Sequence, residues 1–325
     1  MADRKNALSG RKVLVTGGAG FIGSHICEEL LKQGAHVVAL DDMSAGRRSN
    51  VRIFSDNPNY SFVQGSICDD DVKMHKIFDG LDTVFHNAAS KKNICLHDPK
   101  RDLAVNAEGA LNLLLLAKEY GTRKFVHAST GSVYGEPSVF PTDETHPLRP
   151  VSYYGVSKLA GERYVDAFHQ LYDMDTTILR YFHVYGPRQE SNEFGGVVSI
   201  FMRRIAEGKN PVVFGHGEQV RSFTYVKDLV DVNLRAATMP AATGQIYNAA
   251  SGIRVTINDL ASKMLHFSNR NDLSVEHGPE LIGDIMNFDI QNSKVCRDLG
   301  VDFQKDFWGT LQVSLEDVGG FLSID

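Results

Sequence analysis

The chain has 325 residues, a length that suits one large domain or two modest ones. Hydrophobic residues make up 42% and charged residues 23%, which excludes a disordered or collagen-like chain. The net charge is −6, so a nucleic-acid-binding role, which normally needs a basic excess, is disfavoured.

Targeting segments and cross-links are not indicated. No apolar run approaches the roughly 18–20 residues of a membrane span, and the first ten residues are too polar for a signal peptide. The four cysteines show no paired spacing; they are Cys27, Cys68, Cys95 and Cys296. We expect free thiols in a reducing, cytoplasmic compartment, with neither disulfides nor a metal site.

Short β-rich runs alternate with helical patterns through the first half of the chain. The predicted strands are 12–16, 36–40, 60–64, 83–87 and 124–129, and the first predicted helix is 21–33. The strands are continuous apolar runs, which indicates burial on both faces. Repeated strand–helix units predict an α/β fold with a doubly wound parallel sheet through about residue 180.

Two long helices are predicted at about 99–120 and 152–172. Each carries more apolar surface than one sheet contact needs. Two such helices from each of two copies could form a four-helix dimer interface; alternatively, they are covered by the chain's own second domain.

After about residue 181 the pattern loosens into a smaller, irregular α/β lobe. Its predicted strands are 212–214, 222–225 and 245–248, and its predicted helices are 197–207, 228–238, 257–266 and 310–319. Thr256 is a good N-cap for the third of these helices.

A glycine-rich turn joins the first strand to the first helix, with Gly17, Gly20 and Gly23 in the segment TGGAGFIG. Glycines allow a tight turn and close approach of a pyrophosphate, and the helix N-terminus offers unpaired N–H groups to the anion. A purely structural turn would use the same residues. The position at the first strand–helix junction favours a dinucleotide site.

Asp41 ends the second predicted strand, 18 residues beyond Gly23. A carboxylate there can accept hydrogen bonds from both ribose hydroxyls and would repel a 2′-phosphate, which favours NAD over NADP. Arg47 and Arg48 argue the reverse, unless they form a solvated loop pair.

Tyr154 and Lys158 are spaced to lie on one face of a helix, one turn apart. An ammonium near the phenol would favour the phenolate and make Tyr154 a general base. Ser129 and Thr130 end a strand whose carboxyl end faces the same crevice, so Thr130 could bridge the substrate and Tyr154. Tyr153 lacks the matching lysine and is assigned to packing or substrate contact.

Together these features give the chain a resemblance to the extended short-chain dehydrogenase/reductase family, and within it to nucleotide-sugar 4-epimerases. The resemblance covers nearly the whole chain. The segments that carry it are TGGAGFIG at 16–23, Asp41, HNAA at 86–89, STGSVYG at 129–135, YGVSK at 154–158, RYFHVYGPRQ at 180–189 and RSFTYVKD at 221–228. It implies an NAD-binding Rossmann domain over 1–180 and a nucleotide-sugar-binding lobe over 181–325, whose segments can interleave.

The resemblance also implies roles. Tyr154 takes the O4 proton of the sugar, Thr130 steadies that proton, and Lys158 holds the nicotinamide ribose. The implied partners are a nucleotide-diphosphate sugar and a second copy of the chain. The implied cofactor contacts are Gly17, Gly20, Phe21, Ile22, Gly23, Asp41, Ser44, Ser66, Ile67, Asn87, Ala88, Ala89, Lys91, Asn106, Ser129, Tyr154, Lys158 and Tyr181. The implied substrate contacts are Lys92, Thr130, Ser132, Tyr154, His183, Val198, Phe214 and Arg221.

The residues after Thr130 favour epimerisation among the family's reactions. Related dehydratases carry an Asp-Glu pair there and decarboxylases a glutamate, whereas this chain has Gly131 and Ser132. A dehydratase, decarboxylase or 4-ketoreductase remains the alternative, and a non-catalytic NAD sensor or scaffold is the alternative of another class.

The sequence also departs from the family's pattern. His183 replaces a usual asparagine, and Ser66 replaces an aspartate that contacts adenine. The segment 281–284 lacks an arginine that contacts the diphosphate in many relatives. Lys91 and Lys92 could pair with a carboxylate on the sugar, or could form a solvated pair.

Overall fold

Seven parallel strands form the central sheet, in the order β11-β6-β5-β4-β1-β2-β3. The computed structural model describes residues 7–90, 92–192, 195–281 and 284–316, and side chains within the helix from Lys92 are described from Cys95 onward. The sheet strands are β1 (Lys12–Thr16), β2 (His36–Asp41), β3 (Tyr60–Gln64), β4 (Thr83–His86), β5 (Lys124–Thr130), β6 (Asp175–Tyr181) and β11 (Gln245–Ala249). The doubly wound α/β fold predicted from the sequence is confirmed.

Helices cover both faces of this sheet. Those of the first half are α1 (Phe21–Lys32), α2 (Arg48–Arg52), α3 (Val72–Phe78), α4 (Lys92–His97), α5 (Pro99–Leu103), α6 (Gly109–Glu119) and α7 (Tyr153–Tyr172). Within β1, Val13 and Val15 pack into one core, whereas Leu14 packs into another core on the opposite face. This double burial explains why the strands are continuous apolar runs.

The order of the strands reverses beside β1. The chain runs from β1 outward to β2 and β3, then returns to place β4, β5 and β6 on the other side of β1. Ligands of open α/β sheets bind at such a switch point, outside the carboxyl ends of the strands. The loops after β1, β4 and β5 meet there.

Residues beyond 180 contribute to both lobes. Strand β6, which precedes the expected boundary, was not predicted as a separate strand, and β11 pairs with it in parallel, Ile246 opposite Ile178. Helix α9 (Val226–Thr238) packs on α1. The chain therefore leaves the sheet after β6 and returns to it at β11, and the binding roles assigned to 1–180 and 181–325 stay predictions.

The smaller lobe consists of short strand pairs and helices. Its elements are β7 (Val184–Tyr185), α8 (Val197–Ala206), β8 (Val212–Phe214), β9 (Val220–Ser222), β10 (Thr224–Tyr225), β12 (Arg254–Thr256), α10 (Ile257–Phe267), β13 (Glu276–Gly278) and α12 (Phe307–Glu316). Helix α11 (Ser293–Leu299) instead packs on β11 and α9 of the larger lobe. The single strand predicted at 222–225 is two strands, since β9 pairs with β12 and β10 with β7. Between them Phe223 is buried and stacks on Phe307.

Among the described residues, no helix is both long and apolar enough to cross a membrane.

Candidate active site

The glycine turn is shaped for close backbone approach. Gly17 has φ +70°, and a Cβ there would lie 3.0 Å from the backbone nitrogen of Ala88. At Gly23 a Cβ would lie 2.1 Å from the Gly17 carbonyl oxygen, so only glycine lets α1 pack against the turn. The N-cap of α1 is Gly20, which has no side chain to occupy the first N–H groups. These donors and the helix dipole suit a pyrophosphate.

Asp41 is held at the carboxyl end of β2. Its Oδ2 accepts a hydrogen bond from Ala19 N at 3.0 Å, and its Oδ1 accepts one from Met43 N at 2.9 Å. Burial raises the pKa of Asp41, and the two backbone hydrogen bonds oppose that rise. Each carboxylate oxygen retains acceptor capacity toward the cleft, as recognition of a ribose diol requires.

The arginines that argued for NADP lie away from the cleft. Neither Arg47 nor Arg48 lines it. Instead Arg101 of α5 lines the cleft, and its Nη2 lies 3.7 Å from Asp42 Oδ2. The structure thus places an Arg101–Asp42 pair next to Asp41 in the cleft.

Tyr154 and Lys158 both line the cleft, one turn apart on α7. Helix α7 is capped by Ser152, whose Oγ accepts a hydrogen bond from Gly155 N at 3.2 Å. Burial raises the pKa of Tyr154 to about 12, and a hydrogen bond with Thr130 opposes this rise. Burial lowers the pKa of Lys158 to about 8, although the nearby carboxylates of Glu162 and Asp102 act to raise it. The protein alone does not depress the pKa of Tyr154 as the sequence led us to expect, because burial outweighs the hydrogen bond with Thr130.

A buried ion pair supports the strand that carries Thr130. Ser129 Oγ donates to Glu162 Oε2 at 2.8 Å, and the Arg180 guanidinium donates to both oxygens of Glu162. Arg180 Nη1 also donates to the Tyr134 hydroxyl at 2.7 Å, which in turn donates to Asn248. Sequence reasoning missed this network because its members come from five separate elements of the sheet region.

The long helix predicted at 99–120 is interrupted by a π-helical stretch, Ala104–Glu108. Such stretches are rare and frequent at functional sites. It directs Asn106 against α7, where a Cβ at Gly161 would lie 2.5 Å from the Asn106 carbonyl oxygen. Asn106 Nδ2 donates to Asp102 and Ser157, and its Oδ1 accepts from Ser90 N.

Most predicted cofactor contacts converge on one cleft of about 360 Å³. Those that line it are Gly17, Gly20, Phe21, Ile22, Gly23, Asp41, Ser44, Ile67, Asn87, Ala88, Ala89, Ser129, Tyr154, Lys158 and Tyr181, joined by Thr130 and His183 from the substrate set. Asn106 and Ser66 do not line it: Asn106 lies behind Ser90, and the Ser66 backbone N–H donates to Asp69. Lys91 lies outside the described residues, as does the side chain of Lys92.

Sequence reasoning missed twelve further lining residues: Leu40, Asp42, Ala45, Gly46, Gly65, Ser90, Arg101, Val105, Ala128, Val184, Gln189 and Glu190. Several of them are adjacent in sequence to predicted contacts, and this adjacency could have identified them as lining residues. Arg101 gave no such signal, since only the fold brings α5 to the end of β2.

The other predicted substrate contacts do not line this cleft. Val198 is buried in the core of the smaller lobe, and Phe214 is 41% exposed at its surface. Ser132 begins to turn away from the strand, its N–H donating to Thr130 Oγ1.

Arg221 is already engaged within the protein. Its Nη2 donates to both carboxylate oxygens of Asp284 at 2.8 Å, and its Nη1 donates to the Ile285 carbonyl at 2.7 Å. His183 lines the cleft with its ring 5.0 Å from that of Phe288.

A family model described as the NAD dependent epimerase/dehydratase family matches residues 13–250. The chain belongs to this family. It is 38% identical over 256 residues to a putative UDP-glucose 4-epimerase of Methanocaldococcus jannaschii, covering 78% of this chain and 81% of that one.

Two solved structures are similar over most of their length. The UDP-glucose 4-epimerase of Thermotoga maritima with UDP-glucose has a TM-score of 0.87 at 36% identity, covering 94% of this chain and 97% of the other. The UDP-glucuronic acid 4-epimerase of Bacillus cereus, with UDP-glucuronic acid and NAD, has a TM-score of 0.87 at 29% identity, covering 94% and 98%. The cofactor is NAD, and the glycine turn, Asp41 and the Tyr154–Lys158 pair fit it.

Proposed function

We propose that this protein is a nucleotide-sugar 4-epimerase that keeps NAD tightly bound and acts through a transient 4-keto sugar. The arrangement of Thr130, Tyr154 and Lys158 at the end of the NAD cleft carries the proposal. Gly131 and Ser132, which follow Thr130, supply no second carboxylate for loss of water or of a carboxyl group. The named relatives support epimerisation, and they suggest a UDP-hexose or UDP-hexuronic acid as substrate.

Each residue has a defined task in this proposal. The Tyr154 phenolate takes the proton of the sugar O4 and later returns it, while the Thr130 hydroxyl holds the phenol in place. Lys158 supplies the positive charge that favours the phenolate. When bound in this cleft, NAD would supply reversible hydride transfer at C4 of the sugar, so that the reaction would be redox-neutral overall.

Retention of the cofactor is supported by the depth of the adenosine site. Asp41 is 8% exposed and fixed by two backbone N–H groups, and the Arg101–Asp42 pair lies beside it. Binding of nucleotide sugars is assigned to the smaller lobe, with His183 at its border with the NAD cleft.

The exposed apolar surface of α6 and α7 supports a homodimer through a four-helix bundle. On α7, Val156, Tyr164 and Leu171 recur at intervals that bring them to one face, and they are 53%, 42% and 71% exposed. Leu103 and Leu115 are exposed on the neighbouring helices. The alternative, coverage by the chain's own second lobe, does not fit these exposures.

A panel of nucleotide sugars tests the reaction. We expect a product of unchanged mass whose NMR spectrum shows inversion at C4, with no consumption of added NADH. A product lighter by the mass of water would indicate a dehydratase instead, and one lighter by the mass of carbon dioxide would indicate a decarboxylase. Stoichiometric oxidation of NADH would indicate a ketoreductase. No conversion of any sugar by protein that binds NAD would favour a sensor. Release of nicotinamide nucleotide from denatured, purified protein checks retention.

A further inference from the structure

Asp102 is a buried carboxylate next to the site. It lies on α5 and is 1% exposed. Its Oδ1 accepts hydrogen bonds from Cys95 Sγ at 2.6 Å and from Asn106 Nδ2 at 2.7 Å. Both donors are neutral. Among the described residues, these hydrogen bonds therefore satisfy the oxygen as an acceptor but do not neutralise the negative charge of Asp102. A buried carboxylate without a cation is costly, and such groups are rarely found unpaired.

The neighbouring buried charges identify the missing cation. Glu162 is matched by direct contact with Arg180, both of its oxygens receiving guanidinium N–H groups. Lys158 is 2% exposed, and the carboxylates whose fields oppose its loss of charge are Glu162 and Asp102. The field of Glu162 at Lys158 is the larger of the two, but Glu162 is already paired with Arg180. Among the described residues, the hydrogen bonds to Asp102 come only from neutral groups, so Asp102 is the carboxylate left to balance Lys158.

The π-helical stretch links Asp102 to the reacting pair. Asp102 accepts one N–H of Asn106, whose amide also donates to Ser157 Oγ at 3.0 Å. Ser157 lies between Tyr154 and Lys158 along α7. The Asn106 amide oxygen then faces Ser90 N at 2.9 Å, on the loop that lines the NAD cleft. The orientation of Asn106, and with it the contact between the cofactor loop and α7, depends on an acceptor at position 102.

Other titratable groups around Lys158 stay neutral. On α4, burial and the nearby Asp102 raise the pKa of Cys95 to about 12, so it remains a thiol. On the strands beneath α7, burial lowers the pKa of His86 to about 3 and that of His127 well below its usual value. Near neutral pH, the charged described groups that face Lys158 are therefore Asp102 and Glu162.

We propose that Asp102 is a positioning residue: its ionised carboxylate is the counter-charge that keeps Lys158 protonated, and it fixes Asn106 behind the Tyr154–Lys158 pair. The proposal rests on the proposed acid–base role of that pair. The carboxylate acts on both partners, because it favours the ammonium of Lys158 and disfavours the phenolate of Tyr154.

Asp102→Asn removes the negative charge of the side chain while keeping its shape. Its amide oxygen can still accept from Cys95 and Asn106, but the charge is gone. We expect both limbs of the pH profile of kcat/KM to move to lower pH by about 0.5–1 unit, because loss of the anion lowers the pKa of Lys158 and of Tyr154 alike. At pH values above the upper limb, activity should fall by about three- to tenfold, because a shift of that size leaves less Lys158 protonated at each pH. A merely structural role would lower activity at every pH and leave the limbs in place.

Three further variants keep the test decisive. Asp98→Asn is the matched control, the same change at the exposed N-cap of α5, where asparagine caps equally well; its profile should equal that of the parent. Asp102→Ser is a second neutral variant in case Asp102→Asn does not fold, and it should move the limbs likewise. Asp102→Glu keeps the charge and should retain the limbs even with reduced kcat. The proposal would be overturned if the pH profile of folded Asp102→Asn or Asp102→Ser had its limbs at the parent's pH values. It would also be overturned if the limbs of Asp102→Glu were shifted.

A measurement without turnover distinguishes this proposal from the proposed function. The near-ultraviolet absorbance of phenolate is followed as a function of pH in the NAD-loaded protein. Each protein is compared with the same protein carrying Tyr154→Phe, and the difference between the two curves gives the titration of Tyr154 alone. The midpoint for Tyr154 should lie lower in Asp102→Asn than in the parent. Such a shift in a protein that converts no sugar would retain the role of Asp102 and reject the epimerase; an unchanged midpoint would reject the role of Asp102 alone.

Discussion

Glu162 and Arg180 form an ion pair with almost no solvent exposure, one helical turn from Lys158 and directly behind Ser129. The pair joins α7, which carries the proposed base Tyr154, to β5 and β6, which carry Thr130 and the floor of the cleft. Breaking one partner leaves the other charge buried and alone, which costs far more than the pair itself contributes.

Glu162→Gln should therefore reduce the free energy of unfolding by about 3–5 kcal/mol, because the Arg180 guanidinium loses its counter-charge. Chemical denaturation at neutral pH measures the loss. Glu207→Gln is the comparison, since Glu207 pairs with Arg203 and Lys209 at the surface. Equal stability losses in the two variants would contradict the importance of burial.

Tyr154→Phe should lower turnover of the proposed nucleotide-sugar substrate by about 10²–10⁴-fold, because it removes the proposed general base. Binding of NAD should persist, since the glycine turn and Asp41 are untouched. Tyr153→Phe is the matched control at the adjacent, 56% exposed position and should retain activity. Parent-like turnover in Tyr154→Phe would remove Tyr154 from the mechanism.

Asp41→Ala should weaken NAD binding and relax discrimination against NADP, since it removes the carboxylate that we propose binds the ribose hydroxyls. Isothermal titration of the nucleotide-free protein with both cofactors measures the ratio of their Kd values. Arg48→Ala should leave that ratio unchanged, because Arg48 does not line the cleft. An unchanged ratio in Asp41→Ala would mean that another group, such as Asp42, makes the distinction.

His127→Phe should make the protein less sensitive to acid. His127 is fully buried, and its pKa lies well below the value near 6.5 that it has when unfolded. Its contribution to stability is complete above pH 6.5 and declines as the pH falls, because the unfolded chain takes up a proton that the folded one does not. Denaturation between pH 7 and 4 should show a slope reduced by up to about 1.4 kcal/mol per pH unit. The exposed His36→Gln should keep the parent's slope, and an unchanged slope in His127→Phe would show that His127 is protonated in the fold.

Leu171→Lys should shift the protein from dimer to monomer in sedimentation velocity, because it introduces a charge into the proposed helical interface. Val313→Lys is the matched control, a residue of similar exposure (65%) on α12 of the smaller lobe. A parent that sediments as a monomer at all concentrations would contradict the dimer.

The sequence predicted the parts of the site that are local. The turn at Gly17–Gly23, the carboxylate at Asp41 and the i, i+4 spacing of Tyr154 and Lys158 each depend on a few neighbouring residues. Strand β6 was harder, since its threonines and a buried arginine interrupt the apolar run. Arg180 is buried only because Glu162 comes from a distant helix, and such a pairing leaves no local signal.

Two other features depended on tertiary structure. The π-helical stretch inserts a residue into a turn without any glycine or proline within it to mark the change. Arg221 looked available for a diphosphate until the fold brought Asp284 to it.

The return of the chain to the large sheet at β11 has a consequence for dissection of the molecule. A fragment that stops at residue 180 would leave the main-chain hydrogen-bonding groups of β6 bare along one side, beside the apolar surface that α9 now covers. An uncapped strand of this kind recruits other chains. The larger lobe can therefore be excised in a well-behaved form only if residues 226–249 are spliced back onto it, as a graft that supplies both the missing border strand and the helix above it.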